Sequence, residues 1–189
     1  MPRLVAERED TLAPLTEVFR EHGYEGATLA LLGKATGLGR GSLYHFFPGG
    51  KDEMVSAVLA EIDGWFEARI FAPLLSDDSP DQAIDAMFDA VSGYFRSGRR
   101  VCLMGTLALG EGRDRFAAAV SRYFARWIGA LTGALQRRGL DAAAALALSE
   151  EVVTGLQGAI VLARALNEPA VFERAVMRMR GRLRAGSPA

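Results

Sequence analysis

The chain has 189 residues, half of them hydrophobic, with a formal net charge of −1. That size suits one domain, or a small domain joined to a larger one, and so much apolar surface argues against intrinsic disorder. The charge excludes a globally basic binder of polyanions but leaves local basic patches open, and a single cysteine, Cys102, rules out an internal disulfide and points to a reducing compartment.

At the N-terminus, MPRLVAEREDTLAP lacks the apolar core of a secretory leader. Helical periodicity begins at once: Leu12, Leu15 and Phe19 fall at i, i+3, i+7 in a segment from about Glu7 to His22, with Gly23 as C-cap. Thr28 can N-cap a short helix ending near Gly37, and a second short helix carries Leu43, Phe46 and Phe47 before Pro48-Gly49-Gly50 stops it. A long helix is predicted from Lys51 to about Phe71, with Asp52 and Glu53 in its favoured acidic first turn. Ala72-Pro73 and the run Ser76-Asp77-Asp78-Ser79-Pro80 read as a break. Further helices are expected over 80–96, 101–109, 113–138, 141–167 and 169–184, with Ser79 and Asp141 as N-caps and Pro80 and Pro169 in first turns. No apolar run reaches the roughly 18 residues of a membrane span, since Thr154, Gln157 and Arg164 interrupt the stretch from Val152 to Ala165. Strand alternation and hairpin turns are nearly absent. The fold class is therefore all-α, with a boundary near Gly50: residues 1–50 as a three-helix domain and 51–189 as a larger helical one. A soluble, cytoplasmic protein is expected. Arginine outnumbers lysine 20 to 2 and alanine is abundant, as a GC-rich bacterial source would give.

The stretch GLGRGSLYHFFPGGK, Gly37 to Lys51, demands an explanation. It is no dinucleotide fingerprint, because Ser42 stands at the third glycine and no strand precedes it; it is no P-loop, because His45 and Asp52 stand at required Gly and Ser/Thr positions. His22, His45 and Cys102 have no zinc spacing, and no G-x-S-x-G elbow occurs. Neither metal nor cofactor is expected, and no catalytic constellation marks an enzyme. Two short helices, about Thr28–Thr36 and Arg40–Phe47, joined by Gly37-Leu38-Gly39, match a helix-turn-helix. Leu32, Ala35, Leu38 and Leu43 can pack beneath it, while Arg40, Ser42, Tyr44 and His45 face outward with groups suited to phosphates and base edges. Gly41 leaves room for a duplex, and Lys51 opens a helix whose N-terminus favours phosphate. Ordinary helix packing with a solvated surface explains the same residues. Residues 1–55 carry six basic and eight acidic side chains, a balance of −2, although half of the basic ones lie at or beside the motif.

The order Gly23-Tyr24, Thr28, then Ala35 through Phe47, then Lys51, about 30 residues, resembles the DNA-binding domain of TetR-family transcriptional regulators. The Phe47-Pro48-Gly49-Gly50-Lys51 ending, with Cys102 downstream, is most similar to the LmrA/YxaF-like branch. The resemblance implies phosphate contacts from Thr28, Tyr44 and Lys51, base reading by Arg40, Ser42 and His45, and a DNA-facing surface that includes Lys34 and Gly41. Gly39 departs from the usual Ser or Thr, Gly33 and Thr36 from alanine, and Leu31 from a polar residue. The resemblance also implies a homodimer on a palindromic operator, a small-molecule effector, and repression relieved when an apolar or aromatic effector binds. The rival readings are a helical interaction protein without DNA function and a small α-helical enzyme.

Downstream, Leu146, Val153, Leu156 and Ile160, beside small Gly155, Gly158 and Ala159, form one apolar stripe; Phe172, Val176, Met179 and Leu183 form another. Both are candidate dimer surfaces, and both also read as core. Arg174, Arg178, Arg180, Arg182 and Arg184 make the last helix basic, a solvated rim or a nucleic-acid or membrane patch. Trp65, Phe66, Met87, Phe88, Phe95, Cys102, Met104 and Trp127 are candidates for the effector pocket that the resemblance implies, and also plain core. Cys102, preceded by Arg99 and Arg100 at a helix start, reads either as a reactive sensor thiol or as a small buried hydrophobe.

Overall fold

Helical propensity and period are realised throughout: every regular element among the described residues is a helix. The computed structural model describes residues 7–76, 79–110 and 113–185. After a 3-10 turn at Glu9–Thr11 come α1 (Leu12–Gly26), α2 (Leu29–Thr36), α3 (Arg40–Phe46), α4 (Lys51–Phe66), α5 (Ala72–Leu75), α6 (Pro80–Tyr94), α7 (Leu103–Leu109), α8 (Arg113–Arg137), α9 (Ala142–Ala165) and α10 (Ala170–Ala185). Gly23, expected to end the first helix, instead kinks α1 at φ 66°, and one more turn follows. Of the three expected caps, Thr28 accepts the Leu31 N–H and Asp141 accepts those of Ala143 and Ala144, whereas Ser79 makes no side-chain cap bond.

The break expected at Ala72-Pro73 does not occur. Helix continues from α4 through a π-helical turn, Glu67–Phe71, into α5. Proline cannot donate an N–H and its ring crowds the carbonyl four residues back. Widening the preceding turn, so that the Ala72 N–H bonds Glu67 O, lets the chain pass Pro73 without stopping. Asp77 and Asp78 of the second expected break lie outside the described residues.

The chain forms two compact units, and neither is a continuous segment. The first comprises Met1–Asp63 with Leu103–Val120, the second Gly64–Cys102 with Ser121–Ala189. This differs from a boundary at residue 50. The reason is tertiary: α7 returns to pack on α1, and no local signal announces that contact.

In the first unit α1 packs on α2, and α2 on α3. Leu15, Phe19, Leu32, Leu43, Phe47, Met54, Val55 and Val58 are fully buried there, each contributing about 1.5–3 kcal/mol by burial. In the second unit α10 packs on α9 and α6. Its core is aromatic: the Phe66 ring lies 4.8 Å from Tyr123, 4.9 Å from Tyr94 and 5.4 Å from Trp127, all in edge-on geometry. By length and composition α9 could cross a membrane, but Val152, Val153, Leu156, Ala159 and Ile160 are buried, which makes it a core helix of this unit.

The α2–α3 turn rests on two glycines. Gly37 takes the left-handed conformation, φ 70°, and both its own N–H and that of Leu38 return to Gly33 O. A Cβ at Gly33 would stand 2.9 Å from Leu38 O, so this residue is glycine for steric reasons. Gly33→Ala is therefore expected to destabilise the chain by about 1–3 kcal/mol, read as a lower urea midpoint in circular dichroism. Gly41→Ala, whose Cβ would meet nothing within 4 Å, is expected to leave the midpoint unchanged or raise it slightly. Equal losses in both variants would contradict the steric assignment.

Candidate nucleic-acid interface

Helix α3 has only seven residues, too few to be stable alone. It is held by its apolar face: Leu43 is fully buried, as is Phe47 directly after the helix. The helical period then turns Arg40, Gly41, Ser42, Tyr44 and His45 outward, and all five are exposed. Arg40 lies over the Tyr44 ring at 5.7 Å, one turn apart, so the two side chains support each other. The helix starts at Gly39 with no side-chain cap, the cost of the departure from Ser or Thr. Among the described residues nothing lies within 4 Å of a Cβ added at position 41, so their packing does not demand glycine there.

Thr28 and Lys51 flank this face in sequence from α2 and α4. The Thr28 oxygen accepts the Leu31 N–H at 3.3 Å while its hydroxyl proton remains available to a phosphate. Lys34 is exposed in the last turn of α2. The Lys51 amine sits over the Tyr24 ring, 4.2 Å from its centre. Tyr24 is itself fixed: its hydroxyl donates to Asp52 Oδ1, and its ring meets Phe116 edge-on at 5.3 Å. Arg115 Nη1 donates to Asp52 Oδ2, and its guanidinium also lies 5.4 Å from the Tyr24 ring.

The hydrogen bond from Tyr24, with the Arg115 hydrogen bond and charge behind it, holds the Asp52 carboxyl below the usual carboxylate range. Burial, then the bond to Asp52, raises the Tyr24 phenol. Arg115 is held protonated still more firmly by Asp52. In the sequence Asp52 is marked only by its place in an acidic first turn, and Arg115 is not marked at all. The two stand 63 positions apart, a separation that carries no periodic signal.

The expected pocket residues fall in different units. Trp65, Phe66, Met87, Phe88, Phe95 and Trp127 belong to the second, where Trp65 lies 5.2 Å from Phe66, Phe66 lies 6.4 Å from Phe95, and the Trp127 indole N–H donates to Met87 Sδ at 3.4 Å. Met104 belongs to the first unit, in α7. Cys102 is buried, and the Arg100 guanidinium donates to Tyr94 O at 3.2 Å.

The six expected dimer residues are also in the protomer core. Val153, Leu156, Ile160, Phe172, Val176 and Met179 are all buried, Phe172 against Phe95 at 6.4 Å. A Cβ at Gly155 would stand 2.8 Å from Met179 Sδ, so this glycine admits a side chain of its own chain. An apolar stripe at helical spacing marks a covered face without saying which molecule covers it; here α9 and α10 cover each other. The exposed apolar side chains on these helices are Leu146, Val161, Leu162 and Met177, with Leu166 just after α9. The basic last helix is largely neutralised in place: Arg174 pairs with Glu168, Arg180 with Asp85 and Asp89, Arg182 with Glu151, and Arg184 with Asp85.

Because the folded-state pKa of Asp52 lies below its unfolded value, the unfolded chain binds more protons between the two. The stabilisation is present above the usual carboxylate range and is lost as pH falls through the lowered value. Asp52→Asn is thus expected to be less stable than wild type near neutrality, with a difference that closes as the solution is acidified. Urea melts of both proteins across this range measure it, and a pH-independent difference would refute the stabilisation of the Asp52 carboxylate by Tyr24 and Arg115.

Two family models match the chain. The model described as bacterial regulatory proteins of the tetR family covers residues 13–58, the α1–α4 segment that holds the candidate interface. The model for the C-terminal domain of LmrA/YxaF-like transcriptional regulators covers residues 80–177. The HTH-type transcriptional regulator LmrA of Bacillus subtilis is 31% identical over 88 residues, 47% of each chain. The HTH-type transcriptional repressor AcnR of Corynebacterium efficiens is 42% identical over 90 residues, 48% of this chain and 45% of that one. These matches span about half the length of those relatives. Among solved structures, a TetR transcriptional regulator from Legionella pneumophila superposes with a TM-score of 0.77 at 20% identity, covering 94% of this chain and 97% of that one. The regulatory protein TetR from Rhodobacter sphaeroides gives 0.77 at 22% identity, over 91% and 96%. At such identities the likeness is one of fold. With a tetR-type helix-turn-helix at its start and an LmrA/YxaF-like helical domain over more than half its length, the chain belongs to the TetR family of bacterial transcriptional regulators, in the LmrA/YxaF-like branch.

Proposed function

We propose that the protein is a ligand-responsive repressor that binds a palindromic operator as a homodimer. The observation that carries this reading is the two-faced α3. Leu43 and the adjoining Phe47 anchor it, while Arg40, Ser42, Tyr44 and His45 project a charge, two hydroxyls and an imidazole from one exposed surface. Hydrogen-bonding groups in that pattern fit base edges in a major groove, and Thr28, Lys34 and Lys51 supply phosphate donors around them. Gly41 leaves the helix backbone free to approach the duplex.

A second copy would dock on the outer surface of α9 and α10, where Leu146, Val161, Leu162, Leu166 and Met177 are exposed. Gly158 and Gly181 lie in the same two helices with nothing within 4 Å of an added Cβ, which would permit close approach. Pairing places two recognition helices on half-sites about 34–36 Å apart. An apolar or aromatic effector would act on the second unit. Its core is rich in aromatic contact surface, and the buried Trp127 N–H has a thioether as its partner, a weak acceptor that a ligand carbonyl could replace. A ligand bound preferentially to one dimer geometry shifts the population toward it and away from DNA.

Selection of bound duplexes from a random pool tests the reading, and enrichment of an inverted repeat is expected. On the selected duplex, Lys51→Ala should weaken binding similarly for all sequences and reduce the salt slope by about one. His45→Ala should change the base preference. If neither variant alters affinity or preference, α3 is not the reading helix.

Val161→Asp with Leu162→Asp replaces exposed side chains, so the protomer should fold unchanged. It is expected to convert a dimer of twice the 20.3 kDa chain mass to a monomer in sedimentation. A wild-type monomer at micromolar concentration would count against the dimer.

A further inference from the structure

We infer that Arg8 is a positioning residue for DNA reading: it clamps the C-terminus of the recognition helix to α4 and does not itself neutralise a phosphate. This rests on the DNA-binding reading above. Arg8 stands just before the 3-10 turn that opens α1, and its own carbonyl accepts the Thr11 hydroxyl at 2.6 Å, which fixes its backbone. From there the guanidinium makes three separate contacts with the α3–α4 junction. Its Nε donates to Phe46 O, at the last residue of α3, at 3.1 Å. Its Nη2 donates to Glu53 Oε1, in the first turn of α4, at 3.1 Å. Its central carbon Cζ lies over the fully buried Phe47 ring, 4.7 Å from the centre.

Glu53 completes the clamp from the other side. Its second oxygen accepts the Gly49 N–H at 2.8 Å, within the turn that joins α3 to α4. A Cβ at Gly49 would stand 3.3 Å from both Cβ and Oε2 of Glu53, so a larger residue would crowd the carboxylate. A short helix leaves its last carbonyls without intrahelical partners, and Arg8 satisfies one of them with a charged donor. The planar fork of arginine can bond the carbonyl and the carboxylate while stacking on the ring; the single ammonium of lysine cannot do all three. Because Glu53 balances its charge, Arg8 contributes little net field to a duplex. Its effect is on where α3 points, which governs base contacts more than phosphate contacts.

The experiment compares wild type, Arg8→Ala, Arg8→Lys and, as a phosphate-contact reference, Lys51→Ala. Each is bound to a duplex enriched from a random pool and to an unrelated duplex of equal length, over a series of salt concentrations. Thermal melts show that each variant is folded at the assay temperature; should Arg8→Ala fail to fold, Arg8→Lys, which keeps charge and stem, carries the test. The expected result for both Arg8 variants is about a tenfold loss on the enriched duplex, little change on the unrelated one, and the wild-type salt slope. Lys51→Ala should instead lose on both duplexes with a flatter slope. An Arg8 variant that behaves like Lys51→Ala would make Arg8 a phosphate contact and overturn the inference, as would Arg8 variants indistinguishable from wild type. Failure of wild type to enrich or bind any duplex would instead overturn the functional reading itself.

Discussion

The structure turns on a size constraint. A helix of seven residues cannot hold itself together in water, because nucleation costs more than its few hydrogen bonds return. Helix α3 can offer side chains to a duplex only if the surrounding fold supplies its rigidity. That support comes from burial of Leu43 and Phe47, from the left-handed Gly37, from the close approach at Gly33, and from the arginine that caps its last residue. Each acts on the buried side or the ends, which leaves the outer side to chemistry.

The same economy explains how a chain with net charge −1 can face a polyanion. The N-terminal region carries more acids than bases, yet several of those acids are already engaged: Asp52 with Arg115, Glu53 with Arg8, Glu17 with Arg20. The Asp52–Arg115 and Glu53–Arg8 pairs are largely exposed and add little to stability. Their consequence is directional, since they hold Tyr24 and the turn before α4 in fixed positions. Lys51, seated over the Tyr24 ring, is thereby presented on a rigid support.

In the second unit, apolar surface is spent first on the protomer's own core. The stripes of α9 and α10 close on each other, and the arginines of α10 are drawn to acids of α6 and α9. What remains for another molecule is the outer residue set on these helices, which is less apolar and richer in small side chains than either stripe. Periodicity alone makes the stripes candidates for a dimer surface as well as for core. Burial distinguishes them, because a residue already covered by its own chain has little area left to offer a partner.

The amino-acid order by itself determined what depends on neighbours within a few turns. Most helices are legible in it, because helical period and capping act over three or four positions, and Thr28 and Asp141 cap as expected; the first helix, however, runs over Leu12–Gly26 rather than from about Glu7 to His22. It gave the outward set Arg40, Ser42, Tyr44 and His45, because Leu43 fixes the phase of a one-face helix. It misjudged Pro73, where a π turn absorbs the proline, and Ser79, which makes no cap bond. Only the tertiary structure decided what joins distant positions. Arg115 finds Asp52 across 63 residues, Arg8 finds Phe46 across 38, and α7 joins α1 in a unit that the linear order splits. Such contacts follow from how whole helices pack, and packing depends on the sum of many weak apolar contacts rather than on any local spacing.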